Sequence, residues 1–232
     1  MPRVIYIHVP KCGGSSVSAA LRLRYLASHG VITLGQGDTQ LSGMARITDD
    51  YAQRRSELHA LVAQGKRLIT GHVQYDPNLH RGAARGYRFV TVLRDPVERF
   101  VSHYHYLQRK HPDPDRPDTL AGFLETSEAL HIGSQYLFYF AGHSQAQARD
   151  PSALIRSAIA NLARFDLVAD LSDPEGCARG LRRVAQAPLL PWRRNVAPVP
   201  TTVPDRLRPA IERLCAPDLA IHTAVLGHRA AA

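Results

Sequence analysis

The feature that most constrains this chain is its opening, Val4-Ile-Tyr-Ile-His-Val-Pro-Lys-Cys-Gly-Gly-Ser-Ser16, which runs directly into Val17-Ser-Ala-Ala-Leu-Arg-Leu23. The apolar, β-branched run Val4–Val9 predicts a buried strand. Pro10–Ser16 predicts a tight turn, and Val17–Leu26 a helix. A strand, a glycine-containing turn and a helix together present free backbone N–H groups and a positive dipole end to an anion. Lys11 adds a full charge, and Ser15 and Ser16 add hydroxyl donors. This local chemistry suits a phosphate or a sulfate.

The rest of the chain supplies a setting for such a loop. Strands are expected at Arg67–Thr70, Tyr87–Leu93 and Phe165–Ala169, with helices at Tyr51–Gln64, Val97–Gln108, Thr119–Leu130, Ile132–Phe140, Pro151–Leu162 and Pro174–Ala187. One or two closing helices are expected within Asp205–Leu226. Leu58, Leu61 and Val62 share one side of the helix that contains them. Asp95 suits a cap and Pro96 a first helical position. Gly35–Asp50 reads as a loop or excursion, Lys110–Pro117 as an irregular, mobile surface loop, and Pro188–Pro204 as irregular. Strands separated by helices imply parallel β-α-β units with both sheet faces covered. The expectation is a single α/β domain over residues 1–232: three α/β/α layers, P-loop-like, around a mostly parallel sheet of about four or five strands.

Bulk properties narrow the partners. The 29 Lys+Arg residues against 20 Asp+Glu give a net charge of +9, which attracts anionic ligands or merely marks a solvated basic surface. The basic residues are scattered and aromatics are only 7%, which weakens a nucleic-acid reading. Three widely spaced cysteines, Cys12, Cys177 and Cys215, give neither a disulfide framework nor a zinc site, so a reduced, cytoplasmic compartment is expected. Cys12 lies inside the anion loop, where the helix terminus and Lys11 would lower its pKa and permit a nucleophilic role. A small residue that fits the turn is the plainer reading. The first residues do not have the form of a signal peptide, and no apolar run approaches the ~20 residues of a membrane helix.

The loop's lettering separates two chemistries. A nucleoside-triphosphatase loop places Lys directly before Ser/Thr, after its second glycine; here Lys11 precedes Gly13 and Gly14. It also wants an acidic metal ligand at a strand end, and Asp95 is explained as a helix cap. Pro10-Lys-Cys-Gly-Gly-Ser-Ser16 instead resembles the 5′-phosphosulfate loop of sulfotransferases that use 3′-phosphoadenosine 5′-phosphosulfate (PAPS). Ile7–Ser16 is similar to the His-Ile-Pro-Lys-Thr-Ala-Gly-Thr-Ser loop of Golgi-type carbohydrate sulfotransferases, the heparan sulfate 2-O-type among them. Cys12 stands for Thr, Gly13 for Ala and Ser15 for Thr. The resemblance implies a donor site in which Lys11, Cys12, Gly13, Gly14, Ser15 and Ser16 hold the 5′ side, with PAP as product and no metal required.

Leu93-Arg-Asp-Pro-Val-Glu-Arg-Phe-Val-Ser102 is similar to the same family's 3′-phosphate site. Arg94 leaves a strand at its C-terminal edge, and Ser102 lies about two turns into the next helix, at ~3.6 residues per turn, so a guanidinium and a hydroxyl can grip one phosphate. Ile69-Thr-Gly-His-Val-Gln-Tyr75 resembles the segment that carries the family's catalytic histidine. His72 is therefore the candidate general base for the acceptor hydroxyl, and Lys11 the group that neutralises the leaving phosphate. His8 reads as a core or supporting histidine, and His103 and His105 are given no role. Trp192-Arg-Arg-Asn-Val196 resembles a loop closing over the nucleotide, so Arg193 and Arg194 are either further 3′-phosphate contacts or a basic surface patch. The expected partner is a hydroxyl-bearing acceptor, a glycan or a small molecule. A P-loop kinase using ATP and a non-catalytic anion-binding module are the alternatives.

Overall fold

The first strand, β1 (Arg3–Ile7), is buried from Val4 onward and lies at the centre of the sheet. It is flanked by β3 (Leu68–Gly71) and β4 (Tyr87–Leu93), and the outer positions are taken by β2 (His29–Ile32) and β5 (Leu167–Asp170). The order is β2-β3-β1-β4-β5 and every pairing is parallel, with Ile5 opposite Ile69 on one side and Phe89 on the other. The computed structural model of the chain describes residues 1–32, 43–142, 150–189 and 202–227. Arg193 and Arg194, most of Pro188–Pro204, and parts of Gly35–Asp50 lie outside the described residues.

Alternation along the strands builds two separate cores. Ile5, Ile7, Ile69, Phe89, Leu93 and Val168 face one layer of helices. Val4, Tyr6, Leu68, Val90, Val92 and Leu167 face the other, where α1 (Gly14–Arg24) contributes Val17 and Leu21 and α9 (Pro174–Ala185) contributes Leu181 and Val184. The first layer holds α2 (Gly43–Ala63), α3 (Pro77–Arg81), α7 (Gln135–Phe140), α8 (Pro151–Leu162) and α11 (Ala216–Leu226). The three-layer α/β/α expectation therefore holds, with five parallel strands. A third apolar cluster lies among helices alone. It joins Val97, Phe100, Val101 and Tyr104 of α4 (Pro96–Lys110) to Phe123 of α5 (Leu120–Phe123), Ala129 and Ile132 of α6 (Ser127–Gly133) and Ile211 of α10 (Arg208–Leu214).

Several boundaries differ from the expectation for identifiable reasons. His29–Ile32 was not foreseen as a strand: a four-residue stretch with His and Gly carries little intrinsic preference, and it forms because β3 offers it a ladder. Helix α2 starts within the stretch read as a loop; over its described side chains, residues 47–63, the buried stripe is Arg54, Leu58 and Val62, so its apolar period is faint. Thr119–Leu130 is two helices, because the Thr126 hydroxyl accepts from the Ala129 N–H and starts a new one. Within Lys110–Pro117, Lys110 ends α4 and residues 111–117 are irregular as expected, yet the loop is fastened. Arg116 pairs with Glu128 at 2.8 Å, Tyr104 Oη donates to the Asp118 carbonyl, and Gln108 donates to that of Pro117.

Candidate active site

Open α/β sheets bind ligands at the C-terminal edges of their strands. Here His8 to Lys11 follow β1, His72 follows β3 and Arg94 follows β4. The loop after β1 is built from backbone geometry. Lys11 adopts a left-handed φ of 66° and Gly13 one of 72°, which for a lysine costs roughly 1–2 kcal/mol. A left-handed residue followed by a helical one turns successive N–H groups toward a common concavity. Gly13 is that left-handed residue, directly before α1. The Ser16 and Val17 N–H groups both return to the Gly13 carbonyl, at 3.1 and 3.4 Å. Gly14 must be glycine, since a Cβ there would stand 1.8 Å from His8 Nε2. Ser15 is exposed and Ser16 half-buried in the first turn of α1.

Lys11 is half-buried, with its Nζ 4.3 Å from the centroid of the Tyr106 ring on α4. Burial, then Arg109 and Arg94, pull its pKa below the ordinary lysine value, while Cys12 opposes them. A cationic cluster is thus assembled before any anion arrives. At Cys12 the structure favours the plainer sequence reading, a small residue that fits the turn, over a nucleophile. Its thiol is fully buried, 3.6 Å from Tyr136 Oη and 3.7 Å from the Pro10 carbonyl. Burial pushes the thiol up to about 11, outweighing Arg99, the Tyr136 hydrogen bond and Arg94. The side chain is an anchor turned away from the loop's open side, and it has no nucleophile's poise.

His72 is placed by β3 and by a close approach. A Cβ on the preceding Gly71 would lie 2.8 Å from the Ile32 carbonyl oxygen, so only glycine lets β2 and β3 finish side by side there. His72 Nδ1 lies 2.6 Å from the His8 carbonyl oxygen, which can only accept. Nδ1 therefore carries the proton and Nε2 keeps its lone pair. Burial lowers the His72 pKa to about 4; the bond to His8 raises it and Arg54 lowers it further. The imidazole is neutral at physiological pH, the form a base needs. Arg54 of α2 donates to the His72 carbonyl at 3.1 Å, pairs with Asp50 and stacks on Tyr51.

The second loop is made of side chains on a supported helix. Asp95 caps α4 by accepting from the Glu98 N–H, with Pro96 at the first position, as the sequence implied. Arg94 reaches Glu98 Oε2 through Nε at 3.2 Å and Nη2 at 3.1 Å. Glu98, Ser102 and Tyr106 are spaced four apart and form one stripe along α4. Arg94 at Glu98 and Lys11 over Tyr106 therefore bracket Ser102. The sequence did not reveal Glu98 as the group that occupies Arg94.

Tyr136 was likewise missed, since nothing local marks one tyrosine on a short apolar helix. Its hydroxyl donates to the Arg94 carbonyl, accepts from the Arg94 N–H at 2.9 Å and touches Cys12 Sγ. One buried side chain thus joins the two anion loops. Asp218 of α11 holds Tyr136 in turn: its carboxylate accepts the N–H groups of Tyr136 and Leu137 and lies 3.5 Å from the fully buried Arg99. Burial raises the Asp218 pKa to about 6 against the pull of Arg99 and these N–H donors. A cavity of about 590 Å³ beside β5 and α9 is lined by Asp170, Cys177, Arg179 and Arg183, among others. It includes none of Lys11, His72, Arg94 or Ser102, and it is not where these groups converge.

A parallel α/β sheet therefore carries at one edge the glycine-containing loop after its central strand, a cationic loop after the neighbouring strand β4 and a neutral histidine after the neighbouring strand β3 on the other side. Residues 2–131, more than half the chain and the span holding all these groups, match the model of the Sulfotransferase family. The chain belongs to that family, and its activity is sulfuryl transfer to a hydroxyl-bearing acceptor. Among solved structures, a sulfotransferase from Alicyclobacillus acidocaldarius resembles it at 15% identity and a TM-score of 0.47, over 98% of this chain and 96% of that one. No curated protein matches it. Among the described residues no helix is long and apolar enough to cross a membrane.

Proposed function

We propose that this chain transfers a sulfuryl group from PAPS to the hydroxyl of a glycan or small-molecule acceptor, with His72 as general base. The observation that carries the reading is the convergence of Lys11, Arg94 and the neutral His72 at adjacent strand ends, with His72 Nδ1 committed to the His8 carbonyl. The loop suits a phosphosulfate, since the left-handed Gly13 directly before α1 turns main-chain N–H groups toward one concavity. PAPS, when bound, supplies an activated sulfuryl group on a phosphate leaving group.

The residues divide the work. The loop's N–H groups, the dipole of α1, Ser15 and Ser16 hold the 5′ side. Lys11 balances negative charge that grows on the leaving phosphate. Arg94 and Ser102 hold the 3′-phosphate, Arg94 exchanging Glu98 for it. His72 Nε2 takes the acceptor's proton, and the His8 carbonyl then faces an imidazolium, which strengthens that bond. The anionic donor beside His72 raises the proton affinity that burial had lowered. Arg193 and Arg194 would add to the 3′ grip. The acceptor class resembles that of the heparan sulfate 2-O-type enzymes, and three reduced, buried cysteines suit a cytoplasmic setting.

Calorimetric titration with adenosine 3′,5′-bisphosphate (PAP) and, separately, with ATP and magnesium tests the donor. Tight PAP binding is expected. ATP binding without a PAP response would mean a kinase, and a PAP response without turnover on any hydroxyl acceptor would mean a binding module. His72→Ala is expected to retain PAP affinity while transfer falls by about 10²–10⁴-fold; normal turnover in this variant would remove His72 as the base.

A further inference from the structure

His8 touches everything that the base requires. Its carbonyl takes His72 Nδ1. Its ring stacks on the His72 ring with centroids 4.2 Å apart at 28° between planes, and it also stacks with Tyr6 at 5.8 Å. At its edge, Nε2 lies against Gly14, so closely that a Cβ on Gly14 would be 1.8 Å away. The main chain of His8 is itself held, since its N–H bonds the Gly71 carbonyl at 2.9 Å. A single imidazole therefore fills the space between the first residue of α1 and the face of His72.

We propose that the His8 ring is a positioning residue: it spaces His72 from the anion loop and holds the imidazole plane on line with the group that loop carries. The inference rests on His72 as the base. In-line transfer needs the base, acceptor and donor in one narrow geometry, and a displacement of about 1 Å costs about 10²-fold. Backbone alone would not supply that spacing. The His8 carbonyl determines which nitrogen of His72 bears the proton, but a single hydrogen bond leaves the ring free to tilt about it. The stacked face removes that freedom. It also explains the pairing of His8 with Gly14, because a ring in this place is compatible only with a glycine opposite.

The surroundings of His72 make its proton affinity a sensitive gauge of that packing. Facing it are His8 and, beyond His8, Lys11 after β1; Arg54, paired with Asp50, on α2; and His103 on α4. Burial, with Arg54, keeps the His72 imidazole neutral against the hydrogen bond to His8. Removing the His8 ring admits water to its face, so its pKa rises toward the ordinary histidine value.

The test compares His8→Ala, Gly14→Ala and the double variant, using PAP titration, steady-state kinetics and NMR titration of the His72 imidazole. His8→Ala is expected to keep PAP affinity within about threefold, to lower kcat by about 10–100-fold, and to move the His72 titration and the acid limb of kcat/KM to higher pH. Gly14→Ala alone is expected to lose PAP binding through overlap with His8. The double variant is expected to recover binding but not kcat. Should His8→Ala not fold, His8→Leu fills the space without a stacking face, and the same loss is expected. An unchanged kcat with an unmoved His72 titration in either variant overturns the inference. So does a loss of PAP affinity as large as the loss of kcat, which would make His8 a donor ligand. Normal turnover in His72→Ala would defeat the base reading itself, a separate outcome from any His8 result.

Discussion

The two loops proposed to hold the donor's anionic ends are built by opposite means. The loop after β1 is a product of backbone conformation: a left-handed Lys11, a left-handed Gly13 and a Gly14 without room for a Cβ. Its donors come from main chain aimed by seven contiguous residues. The loop after β4 offers side chains, Arg94 and Ser102, and owes its shape to distant support. Tyr136 clamps the Arg94 main chain, Asp218 and Arg99 hold Tyr136, and Glu98 keeps the guanidinium engaged. A backbone cradle is rigid but tolerates no added atom. A side-chain grip tolerates substitution in proportion to how well its supports are replaced.

The largest effect that separates the loops is expected at Lys11. Lys11→Ala should lower kcat by about 10²–10³-fold, the range for losing one group that meets developing charge, while the backbone cradle still binds PAP. Steady-state kinetics beside calorimetry check this, and a loss under tenfold would assign the leaving-group charge to the main chain. Arg94→Ala comes next. A buried charge partner is worth about 2–5 kcal/mol; Arg94 is half-buried and shared with Glu98, so PAP should bind about 30-fold more weakly, the equivalent of about 2 kcal/mol. Adenosine 5′-phosphosulfate, which lacks the 3′-phosphate, should bind that variant as it binds the parent. Equal losses for both ligands would erase the division into a 5′ and a 3′ loop.

Tyr136→Phe removes one hydroxyl shared by both loops. Leaving the Arg94 main chain unsatisfied in a buried place costs about 1–3 kcal/mol, part of it in stability, so a loss of about tenfold is expected for PAP and for adenosine 5′-phosphosulfate alike. A loss confined to PAP would mean that the Cys12 contact carries no coupling. The smallest effect has the opposite sign. Glu98→Gln frees Arg94 from an exposed ion pair worth about 0.2–1 kcal/mol, and PAP should bind up to about fivefold more tightly. Weaker binding in this variant would show that Glu98 orients Arg94 rather than competing for it.

Much of the local structure that carries the candidate site was legible before the structure. The anion loop, Arg94 with its capped helix, and the Gly-His segment after a short strand all lie within runs of a dozen residues or fewer, where turn chemistry, caps and periodicity act directly. What escaped notice was each group that works across the sheet or between layers. Arg54 lies on a helix whose early part reads as polar loop. Tyr136 lies on a six-residue apolar helix, and Asp218 on a late helix that reads as ordinary. None carries a local signal, because its role is defined by a neighbour 18 to 82 residues away. Cys12 shows how packing decides between two sequence readings, of which the small residue that fits the turn was the plainer. Beside a lysine and a helix terminus it reads as an activated thiol, but Tyr136 and the core enclose it, and burial outweighs the nearby cations.

The sequence by itself determined that this chain makes a parallel α/β sheet and that its first strand ends in a glycine-containing turn before a helix, and it supplied the lysine, arginine and histidine that the proposal uses. Those follow from local rules: allowed φ and ψ, the helix dipole and the alternation of buried residues. Only the tertiary structure decided that His8 lies between Gly14 and His72, that Glu98 holds Arg94, and that Tyr136 binds the two loops together. Parallel pairing brings strand ends that are distant in sequence to one edge, and there the packing of side chains, which no local rule contains, sets distances and proton affinities.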